Sequence, residues 1–337
     1  MTASSRSMLG PAPAAFVDPT TLAPAFGAYA GPMPAVSIDV AGARRGWTAR
    51  HLRRKRWVYA AIASEELFVG LAVVHTGFAA TAFVFVYDRA AKRMLVDRTL
   101  LAPPSRVTVA DAPHGDGTLA SFVRGRSQVS MTRAGASLEM RLAFEGIELE
   151  ATLDESSSPP PISAIVDLRD GLFNATEKRA LASVRGRLRV GGRSMSLDGA
   201  TAGWDYTQGL LPRRTRWRWA FALGKTTEGE PIGLNVVQGF VGEAECAAFF
   251  GGHVHPLAEP RFEFDERDPL RPWRIVGQGI DLSFEPGAVH AQHTQLLVVR
   301  SRFVQPVGLF RGKLELQGRD VQLDGVAGVV EDQDVLW

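Results

Sequence analysis

A single cysteine, Cys246, stands in 337 residues, which excludes an intrachain disulfide and any multi-thiolate zinc or iron–sulfur site. Such sparing use of sulfur fits a reducing compartment, and a cytoplasmic location is expected. Long hydrophobic runs are missing too. No stretch approaches the roughly 20 uninterrupted apolar residues of a membrane-spanning helix, and the N-terminal segment has no basic region followed by an apolar core. Export and stable membrane insertion are therefore not expected. Neither sign of charge dominates, since 38 Lys and Arg against 36 Asp and Glu leave a formal net charge of +2. Without a broad basic field, nucleic acid is not an expected partner. Familiar chemical signatures are also absent: there is no G-x-G-x-x-G, no G-x-S-x-G elbow and no H-E-x-x-H, and Gly224-Lys225-Thr226 lacks the upstream glycine of a phosphate loop. No cofactor is implied, and nothing fixes an oligomeric partner.

Helical periodicity is nearly absent, and what remains is strand. Trp57 to Ala63, Glu66 to Val74 and Phe78 to Tyr87 are rich in Val, Phe and Ala and are broken by Ser-Glu and Thr-Gly turns. From Ser137 to Leu153, apolar and polar residues alternate on both sides of a turn at Gly146, as in a hairpin with one wet face. One segment, Gly171 to Ala182, is predicted helical, with Asn174 or Thr176 as its cap. Residues 1–34, rich in Ala and Pro, read as an irregular arm.

A repeat sets the expected architecture. Arg185 to Gly199 (RGRLRVGGRSMSLDG) and Arg311 to Gly325 (RGKLELQGRDVQLDG) agree at eight of fifteen positions, and each copy runs on into an acidic segment, Trp204-Asp205 in one and Glu331-Asp332 in the other. Self-similarity that outlasts a turn points to duplication, although turn residues alone recur in unrelated hairpins. The expected fold class is all-β: two tandem antiparallel β-barrel or sandwich domains, 35–204 and 205–337, with little helix.

Gly203 to Leu223 (GWDYTQGLLPRRTRWRWAFAL) concentrates the unusual side chains. Along an extended strand, Thr215, Trp217, Trp219 and Phe221 share one face while Arg214, Arg216 and Arg218 share the other. The aromatic face either fills a core or lines a ligand pocket. A second constellation, His253-Val254-His255 followed by Glu259, offers two histidines on one strand face and a nearby carboxylate, the donor set of a metal site in a cupin-like enzyme. Exposed loop histidines beside Gly251-Gly252 are the plainer reading. Glu243 and Glu245 sit in a tight turn, either as surface charges or within reach of Arg213 and Arg214.

The segment from Trp204 to Trp219, Gly233-Leu234-Asn235, Gly242 to Glu245, Pro272-Trp273 and the closing Gly328 to Asp332 resemble the bacterial family named domain of unknown function 2804. That family brings no activity with it. More distantly, the duplicated β-domains and the acidic turn leading into an aromatic strand resemble the AttH and carotenoid hydratase group. The resemblance implies paired lipocalin-like barrels, and some members of that group add water to, or rearrange, isoprenoid substrates. Its acidic-His-x-Trp-Gly pattern stands here as Asp205-Tyr206-Thr207-Gln208-Gly209, without the histidine or tryptophan, so the fold carries over further than the chemistry.

The expected function is binding of a lipophilic or isoprenoid-like small molecule in a β-barrel cavity, with acid-catalysed hydration or isomerisation as its catalytic form. Asp205 would donate the proton and Tyr206 would position it. Trp204, Trp217, Trp219 and Asn235 would contact the ligand, and Arg213 and Arg214 would hold a polar head group or Glu243. A non-catalytic lipid carrier or stress-related binding protein is the alternative, and the metal-dependent enzyme is third.

Overall fold

The apolar strands near the N-terminus are buried on both faces. Within Arg54–Ala63, Val58, Ala60 and Ile62 point into one hydrophobic core, while Tyr59, Ala61 and Ala63 point into another. Ala80–Asp88 divides the same way, with Val84 and Val86 on one side and Phe83, Phe85 and Tyr87 on the other. A strand with no wet face reads as an unbroken apolar run, which is why these segments lack a polar alternation. The hairpin Ser137–Phe144 and Ile147–Asp154 does have a wet face, and its residues alternate between buried and exposed as predicted.

The computed structural model describes residues 9–21, 23–41, 46–295 and 299–337. Its strands form two antiparallel sheets, one of 14 strands and one of nine. The larger curls into a nearly closed barrel and the smaller into a half-barrel, a pair of lipocalin-like β-domains as expected. In the barrel, Thr201–Leu210 lies between Arg54–Ala63 and Phe173–Val190. In the half-barrel, Arg319–Leu336 lies between Arg214–Lys225 and Arg300–Leu316. The half-barrel packs its concave side on the outer face of the barrel strands that begin at Arg54, and the second core fills that seam. The chain crosses from one sheet to the other at 211–213, and Arg213 is exposed there. Among the described residues, no helix is long and apolar enough to cross a membrane.

One expectation needs correction. The segment Gly171 to Ala182 is not a helix; it begins the 18-residue strand Phe173–Val190. Within it Glu177 and Lys178 are buried and ion-paired on opposite faces of the sheet. Helix forms elsewhere, over Ile38–Ala41 and Trp47–Arg53. The N-terminal arm is also held in place. Gly27–Ala30 pairs with Ile162–Asp167, and Phe16 is buried with its ring centroid 5.3 Å from that of Phe173.

The repeat is structural. Each copy turns through a tight hairpin with two left-handed residues, Gly191-Gly192 in one and Gln317-Gly318 in the other. Each also carries a glycine where a neighbouring strand comes too close for a side chain. At Gly312 (φ +118°) a Cβ would meet the Asp281 carbonyl oxygen and lie 3.1 Å from Leu282 Cα, and Gly186 meets Glu150 and Ala151 in the same way. Gly318 has open space around it and needs its glycine only for its φ of +74°. Gly312→Ala should therefore lower stability by about 1–3 kcal/mol, clearly more than Gly318→Ala, in urea denaturation of the two variants side by side. Equal losses would show that the close approach carries no energetic weight.

Candidate functional site

The seam between barrel and half-barrel is not filled throughout. A cavity of about 300 Å³ opens there, walled mainly by aromatic and aliphatic side chains from both sheets. Trp57 of the barrel stacks on Trp217 of the half-barrel with ring centroids 6.0 Å apart and planes 13° from parallel, and Tyr59 meets Trp219 edge-on at 5.2 Å.

These four rings obey a local two-fold relation. In the barrel, Trp57 pairs with Thr207 and Tyr59 with Asp205; in the half-barrel, Trp217 pairs with Gln333 and Trp219 with Glu331. Each indole donates to the carboxyl group of its own sheet, Trp57 Nε1 to Asp205 Oδ2 at 3.1 Å and Trp217 Nε1 to Glu331 Oε1 at 2.8 Å. The third strand of each sheet then adds a polar partner. Lys178 Nζ reaches Asp205 Oδ1 at 2.5 Å, and Gln305 Nε2 donates to Glu331 Oε2 at 2.8 Å. Asp205 and Glu331 are thus counterparts in a duplicated module with different third partners.

That difference sets their electrostatics. Asp205 Oδ1 also accepts from Thr207 Oγ1 at 3.0 Å, so the group is arranged as an acceptor. Lys178 lies 3.3 Å from Glu245 as well. Burial works to lower the Lys178 ammonium, but Asp205 and Glu245 together outweigh it and hold the group above the usual lysine value. Burial pushes the Glu245 carboxyl up, against the pull of Lys178. Glu331 is 5% exposed and has a neutral amide where Asp205 has an ammonium. Burial pushes its carboxyl up to about 7, and the hydrogen bonds from Gln305 and Trp217 offset this only in part.

Of the residues singled out from sequence, Asp205, Trp217, Trp219 and Glu245 line the cavity. Asn235 stands behind it, accepting from Trp219 Nε1 at 2.8 Å. Trp204 and Tyr206 do not belong there, because alternation along Thr201–Leu210 turns them to the other face of the sheet, into the barrel. Trp204 donates to Glu155 at 2.6 Å and Tyr206 to the Ala110 carbonyl at 2.7 Å, so Tyr206 does not position Asp205. Arg213 and Arg214 are exposed; the first donates to the Trp337 carbonyl at 2.8 Å and the second pairs with Asp334 at 2.7 Å. Glu243 is exposed in the turn Gly242–Glu245, whose inward carboxylate is Glu245. His253, His255 and Glu259 are not assembled as ligands. His255 Nε2 lies 3.0 Å from the Phe250 carbonyl oxygen and Glu259 accepts from the Gly239 amide, and among the described residues no three His, Cys, Asp or Glu side chains group as a metal site would require.

Sequence reasoning missed Trp57, Tyr59, Lys178, Gln305 and Glu331. The repeat contained the signal for Glu331, since extending its register by the same offset of 126 places Glu331 on Asp205. A neighbour pair on opposite faces, Trp204-Asp205, hid which of the two looked into the seam.

Because Glu331 donates or accepts beside Trp217, its titration should be visible in tryptophan emission. Wild type is expected to show a step with its midpoint near 7 that Glu331→Gln lacks. The sign for stability follows from a raised folded pKa: the contribution is fully present below the ordinary value of 4.5 and is lost as pH rises through about 7. Over that window wild type should lose stability relative to Glu331→Gln, by on the order of 3 kcal/mol. A stability difference between the two that stays flat with pH would show that Glu331 titrates normally.

Comparison with solved structures places the architecture. The fold is shared with a putative AttH from Nitrosomonas europaea, at 14% identity and a TM-score of 0.53 over 83% of this chain and 92% of that one. It is shared with kievitone hydratase from Nectria haematococca, at 12% identity and a TM-score of 0.51 over 84% and 88%. CghA is similar at 14% identity and a TM-score of 0.51 over 83% and 87%. At these identities the likeness is one of fold alone. No curated protein matches. The family described as "Domain of unknown function (DUF2804)" matches residues 17–337, nearly the whole length, and the chain belongs to it.

Proposed function

We propose that the cavity binds a lipophilic small molecule and that Glu331 protonates it, in a hydration or isomerisation without a cofactor. One observation carries this reading: a carboxyl group pushed up to about 7 stands in the wall of an apolar cavity, so that near neutral pH it can both hold and release a proton. Asp205, committed to Lys178, Thr207 and Trp57, suits the partner role of a fixed negative charge. In the step proposed, the Glu331 proton moves to one carbon of a double bond and the other carbon becomes cationic. The faces of Trp57, Trp217 and Trp219 and the charge of Asp205 stabilise that cation. Addition of water with loss of one proton to the Glu331 carboxylate gives an alcohol; loss of a neighbouring carbon-bound proton to it gives an isomer. A protein named as a hydratase has the same fold, which supports the reading at that coarse level. The one cysteine is a free, buried thiol, which fits our placement of the protein in the cytoplasm.

Native mass spectrometry with lipid extraction of the purified protein tests binding, and incubation of the recovered ligand with enzyme in deuterium oxide tests turnover. Gain of deuterium, or of one water, is expected for wild type. Glu331→Gln should slow it by about 10²–10⁴ while leaving ligand affinity near wild type. Retention of a ligand with no exchange in either protein would make the chain a carrier.

A further inference from the structure

We infer that the polar end of the ligand is an uncharged hydroxyl group and that the site discriminates against carboxylates. This rests on the cavity reading above and narrows it to a class of ligand.

The inference starts from the hydrogen-bonding capacity left over at the cavity wall. Its N–H groups are largely committed: Lys178 to two carboxylates, Trp57 and Trp217 to Asp205 and Glu331, Trp219 to Asn235, and Gln305 to Glu331. Three residues of the cavity wall each carry a buried oxygen without a partner, namely Tyr59 Oη, Gln305 Oε1 and Gln333 Oε1. Their residues are 4%, 0% and 6% exposed. Buried polar atoms of this kind normally find a partner, so three around one void point to what fills it. They also lie together. Gln305 sits beside Glu331 on the neighbouring strand, Gln333 follows Glu331 by two residues on the same face, and Tyr59 faces Asp205 across the barrel strands.

Two of the three atoms are amide oxygens, which only accept, and the third is a phenol, which can do either. The complement is a donor. A carboxylate brings acceptors alone; it would leave both amides unpaired and approach Asp205 with like charge. Lys178, the cation at the wall, is already held between Asp205 and Glu245 and has no charge to spare for a second anion. An ammonium would donate, but the unpaired oxygens that would receive it are neutral amides and a phenol. A hydroxyl satisfies the amides, can accept from Tyr59 or from protonated Glu331, and brings no charge into the seam.

Four probes of equal chain length test this: n-decanol, decanoate, decylammonium and decane, titrated into the full chain at neutral pH and read by quenching of tryptophan emission. Decanol should bind tighter than each of the others by about tenfold or more, since an unpaired buried acceptor costs about that much in affinity. Decanoate binding as well as decanol, or decylammonium binding tightest, overturns the inference while leaving a lipophilic cavity in place. Decane equal to decanol overturns hydroxyl recognition in the same way. If none of the four binds, the cavity reading itself fails, and the inference with it. Gln333→Met should weaken decanol by about tenfold and leave decane unchanged; loss of both together with a lowered melting temperature would show Gln333 to be structural. The comparison among wild-type affinities stands in either case.

Discussion

A strand wedged between two cores has no side on which to leave a charge in water, and this constraint governs the seam of the protein. Arg54–Ala63 and its neighbours serve as barrel wall on one face and as floor for the half-barrel on the other. Any charged residue buried in those strands must be paired with another residue of the protein or give up its charge, because an unpaired buried charge costs several kcal/mol. Asp205, Lys178 and Glu245 meet the requirement by pairing with one another. Glu331 meets it by keeping a proton, as a carboxyl group does when hydrogen bonds replace a countercharge. The same packing that makes the fold two-layered therefore makes one of its carboxyl groups an acid near neutral pH.

The barrel interior follows the same rule with a different outcome. There Glu155 is held between Arg133 and Arg179, and Glu177 between Arg179 and His114, with Trp204 donating into the set. Every member has an opposite charge within reach, so the network reads as structural. It also occupies the barrel interior beside Trp204 and Tyr206, which leaves the space for a ligand outside the barrel, between the sheets.

Strand content, antiparallel pairing, the hairpin at Gly146 and the aromatic face of Thr215 to Phe221 were legible because period-2 alternation survives wherever one face differs from the other. The same logic failed where both faces are buried. Trp57-Val58-Tyr59 reads as one apolar run, yet its odd positions form the cavity and its even position belongs to the barrel core. Glu177-Lys178-Arg179 failed for a related reason. Three consecutive charges suggest a solvated helix, and nothing local reveals that Lys178 meets Asp205 on the neighbouring strand while Glu177 meets His114 and Arg179 meets Glu155. Pairing across the sheet decides both cases, and pairing is not local information.

Duplication supplies the remaining step. Two copies of one module would at first place equal acids in equal settings, and two facing carboxylates of equal basicity make a poor acid–base pair. Here the two settings differ in charge at the third strand, which brings Lys178 to one acid and Gln305 to the other. An ammonium brings its acid a countercharge; an amide of similar length donates a hydrogen bond but no charge, and burial pushes the Glu331 carboxyl up to about 7. That difference stands beside the stacked indoles and the matching strand registers that hold both acids in the seam. The asymmetry in charge therefore sits in the strands Phe173–Val190 and Arg300–Leu316, and the two tryptophan–acid pairs are the shared frame around it.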